Sequence, residues 1–183
     1  MANITTSRVK ILGLNPQVLD KLKELFPSSG GPGQIDTNKH LEKLFGDEFT
    51  QNPGPNWMDS HLGVSRIDIE YMVSDDMSEI LLSVDTPYSF PDKWLEKLSQ
   101  VLTEIHPKVS LLGTYEDERV EPMGAFVFGL DYSDWEELEV DIDYDVWYDD
   151  LDYRDEVFGE LYSLRDDLYD AYLIHMEDIG EEV

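Results

Sequence analysis

The sequence predicts an α+β protein: one antiparallel-containing sheet with two helices in split βαβ order. Three observations lead there. Short runs rich in β-branched and apolar residues recur at Arg8–Leu12, Arg66–Val73, Glu79–Asp85, Lys108–Tyr115 and Ala125–Leu130. Two longer runs between them repeat their apolar residues every three or four positions, the helical period. Finally, 183 residues of which 41% are hydrophobic suffice to bury a sizeable core.

The first run ends at Gly13, and Asn15-Pro16 then supplies an N-cap and a first-turn proline. The helix that follows carries Val18, Leu19, Leu22, Leu25 and Phe26 on one stripe and stops at Pro27 with SSGGPG. Residues 28–60, rich in Gly, Pro and Asn, read as a long, partly mobile excursion with a short helix at Asn38–Phe45. The SSGGPG run is no phosphate cradle, because it follows a helix rather than a strand and lacks the Gly-Lys-Ser/Thr of a P-loop. His40 and His61 are read as surface side chains, since neither has a second histidine at helical spacing.

Two strands joined by the polar turn SDDMS form a hairpin, and PDKWLEKLSQVLTEIH is the clearest helix in the chain. Trp94, Leu95, Leu98, Val101, Leu102 and Ile105 share one face of it; Pro107 stops it, and His106 suits its C-terminal dipole. Two further strands, joined by EDERVEPMG, complete residues 1–130 as one domain.

Residues 131–183 differ in character. They hold 21 acidic residues against two basic ones, Arg154 and Arg165, in a chain whose formal charge is −28. From Leu138 to Val146 the pattern alternates, with Val140, Ile142, Tyr144 and Val146 on one side and Glu139, Asp141, Asp143 and Asp145 on the other, which predicts a strand with a carboxylate face. From about Asp149 the period lengthens: Val157, Leu161, Leu164, Leu168 and Tyr172 form the stripe of an amphipathic helix with an acidic back. Carboxylates two apart on a strand lie about 6.6–6.8 Å from one another, and those three or four apart on a helix about 5–6 Å. Both spacings match the scale of neighbouring phosphates on a nucleic-acid strand.

Composition excludes several classes. Cysteine is absent, which removes disulfides and thiolate chemistry. No apolar run approaches a membrane span and no secretion leader opens the chain, so a cytoplasmic protein without membrane contact is expected. A net charge of −28 repels nucleic acid and favours basic partners. Asp141, Asp143 and Asp145 resemble the first half of a calcium loop, but Val146 stands where its glycine belongs and Asp152 where a bidentate Glu is usual, so neither a metal nor another cofactor is expected. His175, close to the helix's apolar face, reads as a packed or solvated side chain. No nucleophile, zinc or phosphate-binding motif is present, which leaves enzymatic readings without support.

Several stretches also carry a resemblance. The opening MAN before a short strand, the Trp57–Gly63 neighbourhood, LSVDTPYSFPDKWLEKLSQ and TYEDERVEPMGAFVFG together resemble the Api-type ferredoxin-like family of phage and prophage proteins over about residues 1–130. The chain has HLGVSR at 61–66 in place of the family's common Asn-Trp-Gly-Thr-Lys run. The resemblance implies a ferredoxin-like fold and a mobile-element origin, and no reaction.

The expected function is therefore that of a non-enzymatic phage or mobile-element protein in the host cytoplasm. It would imitate nucleic acid and inhibit a basic, nucleic-acid-binding host protein such as a restriction or CRISPR effector, a nuclease or the transcription machinery. The carboxylates assigned to the partner are Asp141, Asp143, Asp145, Asp149, Asp150, Asp152, Asp155, Glu156, Asp166, Asp167 and Asp170, with Trp147 and Tyr148 as aromatic anchors. The alternative is a structural or assembly module that oligomerises or binds a partner through the helix at Val157–Tyr172.

Overall fold

The computed structural model describes residues 3–31, 33–51, 54–73, 79–120 and 122–181. Its centre is a six-stranded, wholly antiparallel sheet in the order β2-β3-β1-β4-β5-β6. The strands are β1 (Ile4–Leu12), β2 (Asp68–Val73), β3 (Ile80–Pro87), β4 (Ser110–Asp117), β5 (Met123–Gly129) and β6 (Tyr132–Glu137). The turn SDDMS lies outside the described residues.

Side chains alternate across the sheet, so each strand feeds two different cores. Val9 and Ile11 of β1, Leu82 and Val84 of β3, Leu111 and Tyr115 of β4, and Phe126 and Phe128 of β5 point to one face. There they meet α1 (Pro16–Leu25), three helices from residues 37–62, and α5 (Asp92–Thr103). Asn15 caps α1, its side chain accepting from the Val18 N–H at 2.8 Å. The intervening residues Leu112, Ala125 and Val127 point to the opposite face, where they meet α7 (Leu151–Asp178). The result is three layers: helices, sheet, helix.

Gly113 sits opposite Val9 where β4 pairs with β1. A Cβ there would collide with the Arg8 carbonyl across the ladder and with the Phe126 ring. Neither backbone nor packed ring can yield cheaply, so Gly113→Ala is expected to cost about 1–3 kcal/mol through overpacking, read as a lower Tm by circular dichroism.

Two expectations are corrected. Residues 28–60 are not mainly loop: α2 (Thr37–Phe45), the short helix expected at Asn38–Phe45, is followed by α3 (Asp47–Gln51) and α4 (Pro55–Leu62), and Leu41, Leu44, Phe49, Trp57 and Leu62 are buried in the main core. Asp36 caps α2, while Gly54-Pro55 opens α4 and Gly63, at φ 78°, closes it. These are ordinary helix start and stop signals inside a Gly- and Pro-rich composition.

Leu138–Val146 is not a strand. Its place at the sheet edge is taken by β6, which returns from β5 through the two-residue turn Leu130-Asp131, with Asp131 at φ 49°. Pairing runs out where β5 begins, with Leu138 N–H donating to the Met123 carbonyl at 2.9 Å. The chain then leaves the sheet, and Asp143 starts the short helix α6 (Tyr144–Trp147) by accepting from the Asp145 and Val146 N–H groups. Only part of the alternation survives in burial: Ile142 is buried, Val140 and Val146 are half-buried and Glu139, Asp141, Asp143 and Asp145 are exposed, but Tyr144, expected on the apolar side, is exposed as well.

Candidate functional site

The acidic surface is built by α7, by α6 and by the unpaired stretch before it. Asp150 caps α7, accepting from Asp152 N–H at 2.9 Å and Tyr153 N–H at 3.2 Å. Val157, Leu161, Leu168, Tyr172 and Met176 are buried along one side of the helix, and Leu164 is half-buried. The lower half of the stripe lies on β4 and β5. The upper half meets Ile142, Trp147, Val120 and Met123 in a satellite core.

This packing decides which carboxylates face solvent. Asp141, Asp143, Asp145, Asp149, Asp150, Asp152, Asp155, Glu156, Asp166, Asp167 and Asp170 are all exposed. Two of them have structural work as well, since Asp143 and Asp150 are the caps of α6 and α7. Arg165 gives both Nε and Nη2 to one Asp166 oxygen, at 2.9 and 2.6 Å, and lies over the Tyr162 ring at 5.2 Å. As a surface pair it offsets one charge of the array at little energetic gain.

The two aromatic anchors part company. Tyr148 is 66% exposed. Trp147 is buried at 6%, its ring 5.7 Å from Phe158 and 6.4 Å from Tyr153, so it is a core residue and not an anchor. Trp135, Tyr144 and Tyr162, which also interleave with the acids in the sequence, are exposed, as is Tyr88, which lies outside that pattern.

His40 corrects the sequence reading. It is fully buried beneath α1 and α5, with Nδ1 2.8 Å from the Leu25 carbonyl and Nε2 3.0 Å from Trp94 Nε1. Phe26 stacks on it at 4.6 Å. His61 is half-buried and stacks on Trp57 at 4.4 Å. His175 packs on Tyr132 and lies 3.2 Å from the Leu130 carbonyl through Nε2. Among the described residues no three His, Asp or Glu side chains are grouped so as to hold a metal ion.

A markedly basic concavity lies beside α7. α7 covers β4 to β6 and leaves part of β1 and β3 open, forming a groove of about 540 Å³ lined by Arg8, Lys10 and Arg165 together with Met72, Leu81 and Leu112. Each cation already has a carboxylate: Arg8 with Glu116 at 2.7 Å, Lys10 with Glu79 at 2.5 Å, Arg165 with Asp166. Positive charge in this groove is internally balanced, whereas the acidic face carries a large surplus.

Comparison of the chain with models of protein families, with curated proteins and with solved structures gives no match. No helix among the described residues is long and apolar enough to cross a membrane.

Proposed function

We propose that the protein is a non-enzymatic nucleic-acid mimic of a phage or other mobile element, which binds a basic nucleic-acid-binding protein in the host cytoplasm and inhibits it. The observation that carries this reading is the docking of α7. With its apolar stripe held on the sheet, its acidic back faces outward as a rigid array. A preformed array loses little conformational entropy on binding, and a basic groove that accepts phosphates attracts it at long range. The strand order β2-β3-β1-β4, with α1 after β1 and α5 after β3, suits a ferredoxin-like domain extended by β5 and β6, and so fits the resemblance to the Api-type family.

The alternative, assembly through the C-terminal helix, has less to stand on. It needs the stripe at Val157–Tyr172 for a partner, and that stripe is already covered by the chain's own sheet and by the satellite core around Ile142 and Trp147.

The test is charge reversal at positions without capping duty: Asp149, Asp155, Glu156, Asp167 and Asp170, all to Lys. The native protein, immobilised, is expected to capture a nucleic-acid-binding protein from host lysate, to release it as salt rises, and to lose it to competing DNA or RNA. The reversed variant is expected to hold it at least tenfold more weakly. Undiminished capture by a folded reversed variant would sink the mimic reading.

A further inference from the structure

On the edge of the sheet away from the α7 groove is a cleft of about 300 Å³ with a different chemistry. Four aromatic side chains line it, Tyr88, Phe90, Tyr115 and Trp135, and two carboxylates, Asp92 and Glu137. No Lys or Arg lines it among the described residues. Phe90 stacks on Tyr115 at 4.5 Å and tilts against Trp135 at 5.8 Å, so three rings form one continuous wall. Tyr88 stands at the mouth, 66% exposed, on a backbone held at φ 68°. A bulky residue rarely adopts that conformation, which marks a turn built to present its side chain.

A second observation points to a ligand. Tyr115 is 2% exposed, and its hydroxyl is buried with no hydrogen-bond partner among the described residues. Leaving such a group unsatisfied is costly, and a ligand that reaches it relieves the cost. Burial, with the Glu137 charge adding to it, holds the phenol protonated far above neutral pH. Aromatic faces and carboxylates both attract cations, and a planar guanidinium can stack on rings while its N–H groups reach oxygen acceptors.

We propose that this cleft binds the guanidinium group of an arginine side chain presented by another protein, the rings of Trp135 and Tyr88 flanking it and Glu137 accepting its N–H groups. The site lies apart from the acidic face and does not depend on the mimic reading.

The test is a titration of the full-length, ¹⁵N-labelled protein, whose four tryptophans give four indole resonances, with Trp135→Phe identifying one of them. Capped arginine (N-acetylarginine methylamide), methylguanidinium and neutral methylurea are added at constant chloride. Saturable shifts of the Trp135 indole with capped arginine and methylguanidinium, absent with methylurea, are expected. Glu137→Gln and Tyr88→Ala, both at exposed positions, are each expected to weaken binding, the first roughly tenfold. A flat response to capped arginine overturns the proposal, even where methylguanidinium alone binds. So does an equal response to methylurea, or undiminished binding by Glu137→Gln.

Discussion

Acidifying the protein from pH 7 to pH 4 is expected to remove about 3 kcal/mol of stability through His40 alone. The indole Nε1 of Trp94 can only donate, so His40 Nε2, 3.0 Å away, must accept and carries no proton. The proton is therefore on Nδ1, donated to the Leu25 carbonyl at 2.8 Å. A second proton would put a charge in a fully buried site and face the Trp94 N–H. Burial accordingly pushes the imidazole down to about 4, against the opposing pull of the Leu25 carbonyl. In the unfolded chain the same group titrates near 6.5, so between these values the unfolded state binds the extra proton. The contribution is complete above about pH 6.5 and is lost as pH falls toward 4. Urea unfolding at pH 7, 6 and 5 measures it. Below that window carboxylates begin to protonate, and relief of repulsion in so acidic a chain acts the other way. His40→Leu separates the effects: it is expected to be about 2–4 kcal/mol less stable at pH 7, because the Trp94 N–H and the Leu25 carbonyl lose their partner, and to show no histidine slope. Equal slopes in the two proteins would show that His40 is not the titrating group.

The position of His40 also shows where sequence reasoning fell short. The lack of a metal-ligand partner for His40 says nothing of its burial; the informative signal is its place beside Leu41 and Leu44 on the apolar side of a helix capped by Asp36. Likewise, Gly54-Pro55 and Gly63 bracket α4 in plain view, but the surrounding Gly and Pro content argued for a loop. Local periodicity served well for the β2–β3 pair, α1, α5 and α7, which lie close to where their patterns put them, whereas β1 begins at Ile4, four residues before the apolar run Arg8–Leu12, through the polar residues Thr5, Thr6 and Ser7. It failed at Leu138–Val146 because alternation records which side chains are buried and carries no information on whether a partner strand is free. β6 had already occupied the edge, and its own composition, Tyr-Ser-Asp-Trp-Glu-Glu, is too polar to advertise a strand. The acidic array was legible because charge counts need no fold. Its exposure was not, since it depends on α7 lying on the sheet. The cleft at Tyr115 was invisible in sequence, its walls coming from residues 88–92, 115 and 135–137.

A chain ended at Leu130 is expected not to fold as a stable monomer, although residues 1–130 resemble a complete domain. Leu112, Ala125 and Val127 are buried beneath α7, and Met123 beneath the segment that holds Ile142, Trp147 and Val157. Removing residues 131–183 would open this whole apolar face to water. It would also strip β6 from β5, leaving a hydrophobic edge strand, GAFVFG, with unpaired backbone groups, which is a template for aggregation. The fit between sheet and helix is close: Tyr172 is fully buried, and its ring lies against Gly129 where a Cβ would collide with it. In the full chain Tyr172→Ala is expected to cost about 3–5 kcal/mol, which bounds from below what loss of the entire helix would cost. Size-exclusion chromatography and thermal unfolding of the truncated chain check this. A soluble monomer with a cooperative transition within a few degrees of the intact protein's would mean that α7 only rests on the sheet. The expected collapse has a consequence for function. The helix that displays the carboxylates also completes the core, so the acidic face cannot be deleted to learn what it does. It has to be reversed in place, side chain by side chain, with the apolar stripe of α7 left intact.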